Sequence, residues 1–198
     1  MPDRSNGYEG VAGEFLAGRG RAPSTAIGTR RVRDWARTLP SGAAVIDLGC
    51  GSGLPITKVL LDEGLNVYAV DAAPSLVKAF RHNFPQVPIA CESVLDSLFF
   101  ERMFEGVVAW GLMFLLQPHE QRRLIQRIAD ILAPRGRLLF TAEAGAMVWN
   151  DAMTGLQSRS LGATEYRELL SSVGLSVISE YGDEGQNYYF DAVKIAFT

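Results

Sequence analysis

The stretch Val45-Ile46-Asp47-Leu48-Gly49-Cys50-Gly51-Ser52-Gly53-Leu54-Pro55 decides the reading of this chain. Its apolar first half suits a central strand of a parallel sheet, and Pro55 suits the first turn of a helix, where a missing N–H costs nothing. The glycines between them let a backbone approach a ligand with no Cβ atoms in the way. Their spacing discriminates between ligands. A dinucleotide fingerprint requires G-x-G-x-x-G, whereas the residue three after Gly51 is Leu54 and the last glycine comes one place early, at Gly53. The loop therefore argues against NAD. Downstream, Val67-Tyr68-Ala69-Val70 is a second β-rich run closed by Asp71, 24 residues beyond Asp47. A carboxylate there accepts from both hydroxyls of a ribose and repels a 2′-phosphate, so NADP is disfavoured as well.

The run 47–53, with Asp71 in register after it, resembles the motifs of the class I S-adenosylmethionine-dependent methyltransferases. Ala133-Pro134-Arg135-Gly136-Arg137-Leu138-Leu139-Phe140 is similar to the family's proline-glycine turn before the fifth strand, with Arg135 where the family usually has glycine. That departure is expected to be harmless on a surface turn. The resemblance spans about residues 43–197.

Apolar periodicity places the other elements. Segments 8–16 and 25–39 read as helices, the second with Ile27, Val32, Trp35 and Leu39 toward one face. Three strand–helix steps follow, then strands at 104–110 and 137–141 separated by a helix after Pro118, and a capped helix over 164–173. The link 182–186 joins strands 175–179 and 188–197 as an antiparallel hairpin. The fold expected is α/β, Rossmann-like and doubly wound: a seven-stranded, mostly parallel sheet with an antiparallel last strand and helices on both faces. At 198 residues the chain reads as one domain, 1–198. Within it, 1–40 form a helical lid, 41–198 a donor-binding core, and 143–162 an irregular loop on the substrate side.

No apolar run approaches the length of a membrane span, and the first residues lack a signal-peptide core, so cytoplasmic residence is the default. Cys50 and Cys91 are too far apart for a redox or zinc pair, and no metal is expected. The net charge of −3 offers nucleic acid no general attraction, although the first forty residues are rich in arginine. A solvated basic face is the plain reading of those arginines, with an anionic substrate or an RNA-facing edge as alternatives. A two-fold homodimer stays open.

The family resemblance implies S-adenosylmethionine as cofactor and S-adenosylhomocysteine as product. It implies that Asp47, Gly49, Cys50, Gly51 and Gly53 lie under the methionine and ribose, with Asp47 near the amino group, although Asp47 could instead only fix the turn. Asp71 takes the ribose, Ala72 leaves room for adenine, Glu92 or Ser93 meets the adenine edge, and Trp110 and Gly111 sit beside the sulfonium. Trp110-Gly111-Leu112-Met113 offers no polar side chain of the kind that holds a nucleobase amine, which tells against base N-methylation. Displacement at an activated methyl needs alignment and desolvation more than a base. Where the acceptor is a hydroxyl, Glu143, His119 and Tyr8 are the candidate bases. Tyr8, Arg19, Glu143 and Trp149 are the candidate acceptor contacts. The function expected is methyl transfer to a small molecule. The rivals are a non-catalytic donor-binding or interaction protein, an RNA or protein methyltransferase, and a nicotinamide oxidoreductase.

Overall fold

The computed structural model describes residues 3–18 and 27–196. Two short helices, α1 (Ala12–Ala17) and α2 (Thr29–Ala36), precede the alternating part of the chain. There β1 (Ala44–Leu48), α3 (Ile56–Asp62), β2 (Asn66–Asp71), α4 (Pro74–Asn83) and β3 (Ile89–Cys91) form the first half. The second half runs β4 (Phe104–Ala109), α5 (Pro118–Ile131), β5 (Leu132–Thr141), a hairpin of β6 (Met147–Asn150) and β7 (Gln157–Ser160), α6 (Ala163–Ser172), β8 (Leu175–Gly182) and β9 (Tyr188–Lys194). Seven strands form one sheet in the order β3-β2-β1-β4-β5-β9-β8, with β9 antiparallel to both neighbours and the rest of the shared register parallel.

Why β1 sits at the centre is visible in its residues, all five of which are buried. Val45 faces a layer built by Val32 and Trp35 of α2 and by Ile56, Val59 and Leu60 of α3. Ile46 and Leu48 face the opposite layer, with Leu124, Ile125 and Ile128 of α5 and Tyr166 and Leu170 of α6. The same alternation recurs at Val107 and Val108, at Leu138 and Leu139, and at Tyr189 and Phe190. A strand buried on both faces needs this continuous apolar run, which is what the sequence shows. Trp35 reaches the sheet because Gly106 has no side chain: a Cβ there would lie 2.9 Å from both the indole and Leu39.

Four expectations need correction. Tyr8 precedes α1 in a run of turns and so is not on the helix that carries Phe15. Ile27 precedes α2 and is half exposed; positions 25 and 26 lie outside the described residues. Segment 143–162 is not irregular, since Asp151 accepts from the N–H groups of Met153 and Thr154 and turns the chain between β6 and β7. Helix α6 starts at Gly162 without a side-chain cap.

Arg135 also has a cost that its surface position concealed. The Pro134-Arg135-Gly136 turn sits inside β5 as a register shift, and Arg135 takes φ +65°, the left-handed region that glycine occupies without strain.

Candidate functional site

Parallel register brings the carboxyl ends of β1 and β2 side by side, Leu48 opposite Val70. The glycine loop is tied to β2 from there. Gly49 and Cys50 donate their N–H groups to the Val70 carbonyl at 2.8 and 3.3 Å, and Gly51 donates to Asp71 Oδ2 at 2.7 Å. The other oxygen, Asp71 Oδ1, accepts from Ala73 N–H at 2.8 Å. One carboxylate thus fixes both the loop after β1 and the turn into α4. A carboxylate has about four acceptor directions, so these two bonds leave capacity for a ligand. Burial pushes the Asp71 pKa up, against the lowering effect of those N–H groups.

Asp47 lies deeper and accepts from Thr57 Oγ of α3 at 2.6 Å. Burial pushes its pKa up to about 7; the Thr57 bond opposes the shift, and the Asp71 charge adds to it. Asp47 therefore ties the end of β1 to the start of α3 and lines the cavity. Burial also pushes the Cys50 thiol up, which leaves it a neutral wall atom and not a nucleophile.

The cavity in front of this loop is covered by the N-terminal segment. Asp3 accepts from Ser5 N–H, Ser5 Oγ and Gly7 N–H, and this side-chain turn carries Asn6 at φ 52°. Glu9 accepts from Ser75 N–H at 2.9 Å and Ser75 Oγ at 2.7 Å, at the start of α4. There a carboxylate meets both unpaired N–H groups and the positive end of the helix. Ala12, Leu16, Tyr8 and Phe15 pack with Ala73 and Leu76, and the Tyr8 and Phe15 rings meet edge to face at 6.0 Å. A Cβ on Gly51 would stand 3.3 Å from the Phe15 ring. Tyr8 Oη donates to Asp151 Oδ2 at 3.3 Å, so the turn of the β6–β7 hairpin meets the N-terminal segment at the cavity.

Of the residues singled out in the sequence, Asp47, Gly49, Cys50, Gly51, Asp71, Ala72, Ser93, Trp110, Gly111 and Tyr8 line this one cavity. Arg4, Ser5, Asn6, Leu54, Leu112, Leu115 and Leu116 line it too, and no local pattern announced them. Gly53 does not. A Cβ there would lie 2.4 Å from Phe84 and 2.9 Å from Phe80, so its bareness serves the packing of α4. Glu92 is outside the lining, its N–H bonded to the Asp71 carbonyl, and of the two adenine-edge candidates only Ser93 faces in. His119 is exposed in the first turn of α5, and Glu143 is not in the wall. Trp149 packs on Phe114, ring centroids 5.6 Å apart, instead of facing the cavity. Arg19 lies outside the described residues.

Trp110 has a supported setting. Its Nε1–H donates to Tyr189 Oη at 3.0 Å, and that phenol donates to Asp183 Oδ2 at 2.8 Å. Gly111 donates its N–H to Thr141 Oγ at 2.8 Å, fixing the turn after β4 against the end of β5.

Comparison with known proteins agrees with this geometry. A family model described as a methyltransferase domain matches residues 45–136. An uncharacterized methyltransferase of Mycobacterium tuberculosis is 30% identical over 149 residues, covering 75% of this chain and 54% of its own length. A ubiquinone biosynthesis O-methyltransferase of Xanthomonas axonopodis pv. citri is 30% identical over 165 residues, covering 81% of this chain and 61% of its own. The chain thus spans a little over half the length of these curated relatives. The crystal structure of the glycopeptide N-methyltransferase MtfA superposes with a TM-score of 0.70 at 20% identity, over 84% of this chain and 96% of that one. With the glycine loop, the paired acids and the reversed last strand in place, the chain has the fold of the class I S-adenosylmethionine-dependent methyltransferases and is similar in sequence to a methyltransferase domain over residues 45–136.

Proposed function

We propose that this protein transfers a methyl group from S-adenosylmethionine to a small organic molecule. The observation that carries the reading is Asp71, buried at the end of β2, accepting one backbone N–H on each oxygen while lining the cavity. A ribose diol fits the acceptor directions it keeps. Asp47 suits a cationic amino group, and Ser93 and Val94 suit the adenine side. When bound, the donor supplies a methyl carbon on a positively charged sulfur. The chain's part is to hold donor and acceptor in line and to keep water out.

Phe15, Tyr8 and the leucines after Trp110 make much of the remaining wall apolar, with Arg4, Ser5 and Asn6 as its polar part, which favours a small acceptor that is largely apolar. The arginines near the start favour the same choice over a phosphate backbone. Arg33 and Arg37 pair with Glu63, Arg4 pairs with Asp96, and Arg31 donates to the Gly182 carbonyl beside the Tyr181 ring. The relative named for O-methyl transfer in ubiquinone biosynthesis lends support to a small acceptor.

A calorimetric titration with S-adenosylmethionine, then incubation of labelled donor with a metabolite extract, tests the reading. Donor binding with label appearing in a small-molecule fraction is expected. Binding of NAD without donor binding refutes it, and donor binding with no transfer makes the chain a donor-binding protein only.

A further inference from the structure

Tyr8 and Asn6 line the cavity, and behind Tyr8, outside the lining, stands a carboxylate distant in sequence. Asp151 is buried at the hairpin turn, and its Oδ1 accepts from Met153 N–H, Thr154 N–H and Thr154 Oγ. Those three bonds hold the carboxylate in one orientation. They leave Oδ2 for the Tyr8 phenol, which is itself part of the cavity wall. Two residues before Tyr8, Asn6 lines the same cavity, and its Nδ2 is buried with no hydrogen-bond partner among the described residues. A buried donor of this kind carries the full desolvation cost until an oxygen meets it. Around these groups the wall is apolar, with Phe15, Leu112 and Leu115.

Resting on the donor-binding reading above, we propose that the acceptor is a hydroxylated aromatic ring, deprotonated through Tyr8 and Asp151 and oriented by Asn6. The reacting hydroxyl donates to Tyr8 Oη. As its oxygen attacks, its proton passes to Tyr8, and the Tyr8 proton passes to Asp151 Oδ2. The oxygen lone pair forms the new bond to the methyl carbon, the carbon–sulfur bond breaks, and its electron pair returns to sulfur as a neutral thioether. Asn6 Nδ2 donates to a neighbouring oxygen of the ring, which turns the reacting oxygen toward the methyl. Tyr8 touches the substrate. Asp151 acts through it, as a positioning residue and final proton acceptor.

The probes are catechol, 4-nitrocatechol and benzylamine, each with labelled S-adenosylmethionine. The nitro group acidifies the phenol, so nitrocatechol arrives largely ionised and needs little help with its proton. Asp151→Asn is chosen because the amide oxygen still accepts the turn's three bonds, while its NH2 cannot accept from Tyr8. Wild type should methylate catechol. Asp151→Asn and Tyr8→Phe should each lower kcat on catechol by about a hundredfold, within the range for removal of a general base, and lower it far less on nitrocatechol. Asn6→Ala should raise the catechol KM about fivefold with kcat retained, the worth of one neutral hydrogen bond. Equal losses on both catechols would mean a merely structural role and overturn the relay. Label on benzylamine alone, or on none of the probes by protein that binds the donor, overturns the acceptor class. Absence of donor binding in the parallel titration would instead sink the reading on which this one rests.

Discussion

Asp47→Asn separates the cost of the donor site from its use. Asp47 is buried, and that burial pushes its pKa up to about 7 from an ordinary 3.8. A folded pKa above the unfolded one means that the native state holds its proton more tightly, so ionisation destabilises the fold as pH rises between about 4 and 7. Raising that carboxyl from 3.8 to about 7 makes the full penalty of ionising it about 4 kcal/mol. At pH 4.5 roughly 1 kcal/mol of it is already present, because the unfolded chain is mostly ionised there. Asparagine keeps an oxygen for Thr57 and does not titrate. The stability of Asp47→Asn relative to wild type should therefore improve by about 3 kcal/mol between pH 4.5 and pH 8. Urea unfolding of both proteins at pH 4.5, 6 and 8 measures it, with the m-value as the check on two-state behaviour. A difference that stays flat across that range would refute the account, and so would one that grows toward low pH. If Asp47 faces the donor's ammonium, the same substitution weakens donor binding even as it stabilises the fold. Wild-type binding at pH 6 would then release a proton, which calorimetry in buffers of different ionisation heat detects.

Gly53→Ala should lose about 2–4 kcal/mol, from a side chain at φ +80° and from contact with Phe84 and Phe80. Gly64→Ala, with φ +75° and open space around its Cβ position, should lose only about 1–2 kcal/mol. Equal melting temperatures for the two would mean that α4 does not need the bare third glycine. Arg135→Gly should gain up to about 1 kcal/mol by relieving the left-handed backbone in β5, net of the greater freedom glycine has when unfolded; a lower urea midpoint than wild type would contradict this. Tyr189→Phe removes the phenol between Trp110 and Asp183 and should cost about 1–3 kcal/mol, read as a lower midpoint of thermal unfolding.

The side of the cavity built by the glycine loop and Asp71 was legible because its signals are short. Asp47 and the loop glycines lie within one turn of each other, and Asp71 follows because parallel register must bring the ends of β1 and β2 together. Burial of both faces likewise left a continuous apolar run in each central strand, so the sheet could be read before its partners were known. The side built by the N-terminal segment is long-range, and periodicity carries no information about it. Tyr8 and Asp151 meet across 143 residues, and the Asp3 turn that presents Asn6 looks, by itself, like any surface turn. Trp149 was misread for a physical reason. An aromatic near a sheet's carboxyl edge has the same sequence signature whether it faces a ligand or packs on Phe114. The third glycine was misread by the same ambiguity, since a missing side chain serves a phenyl ring of α4 as readily as a cofactor. The loop motif is thus two requirements written in one string. Gly49 and Gly51 line the cavity with Leu112 and Phe15 close over them, and Gly53 stays bare so that Phe80 and Phe84 can press α4 against the loop. Asp71 joins the two: one oxygen holds Gly51 and the other holds Ala73, one residue before α4 begins. A change in how α4 packs would for this reason be felt at the same carboxylate that lines the cavity.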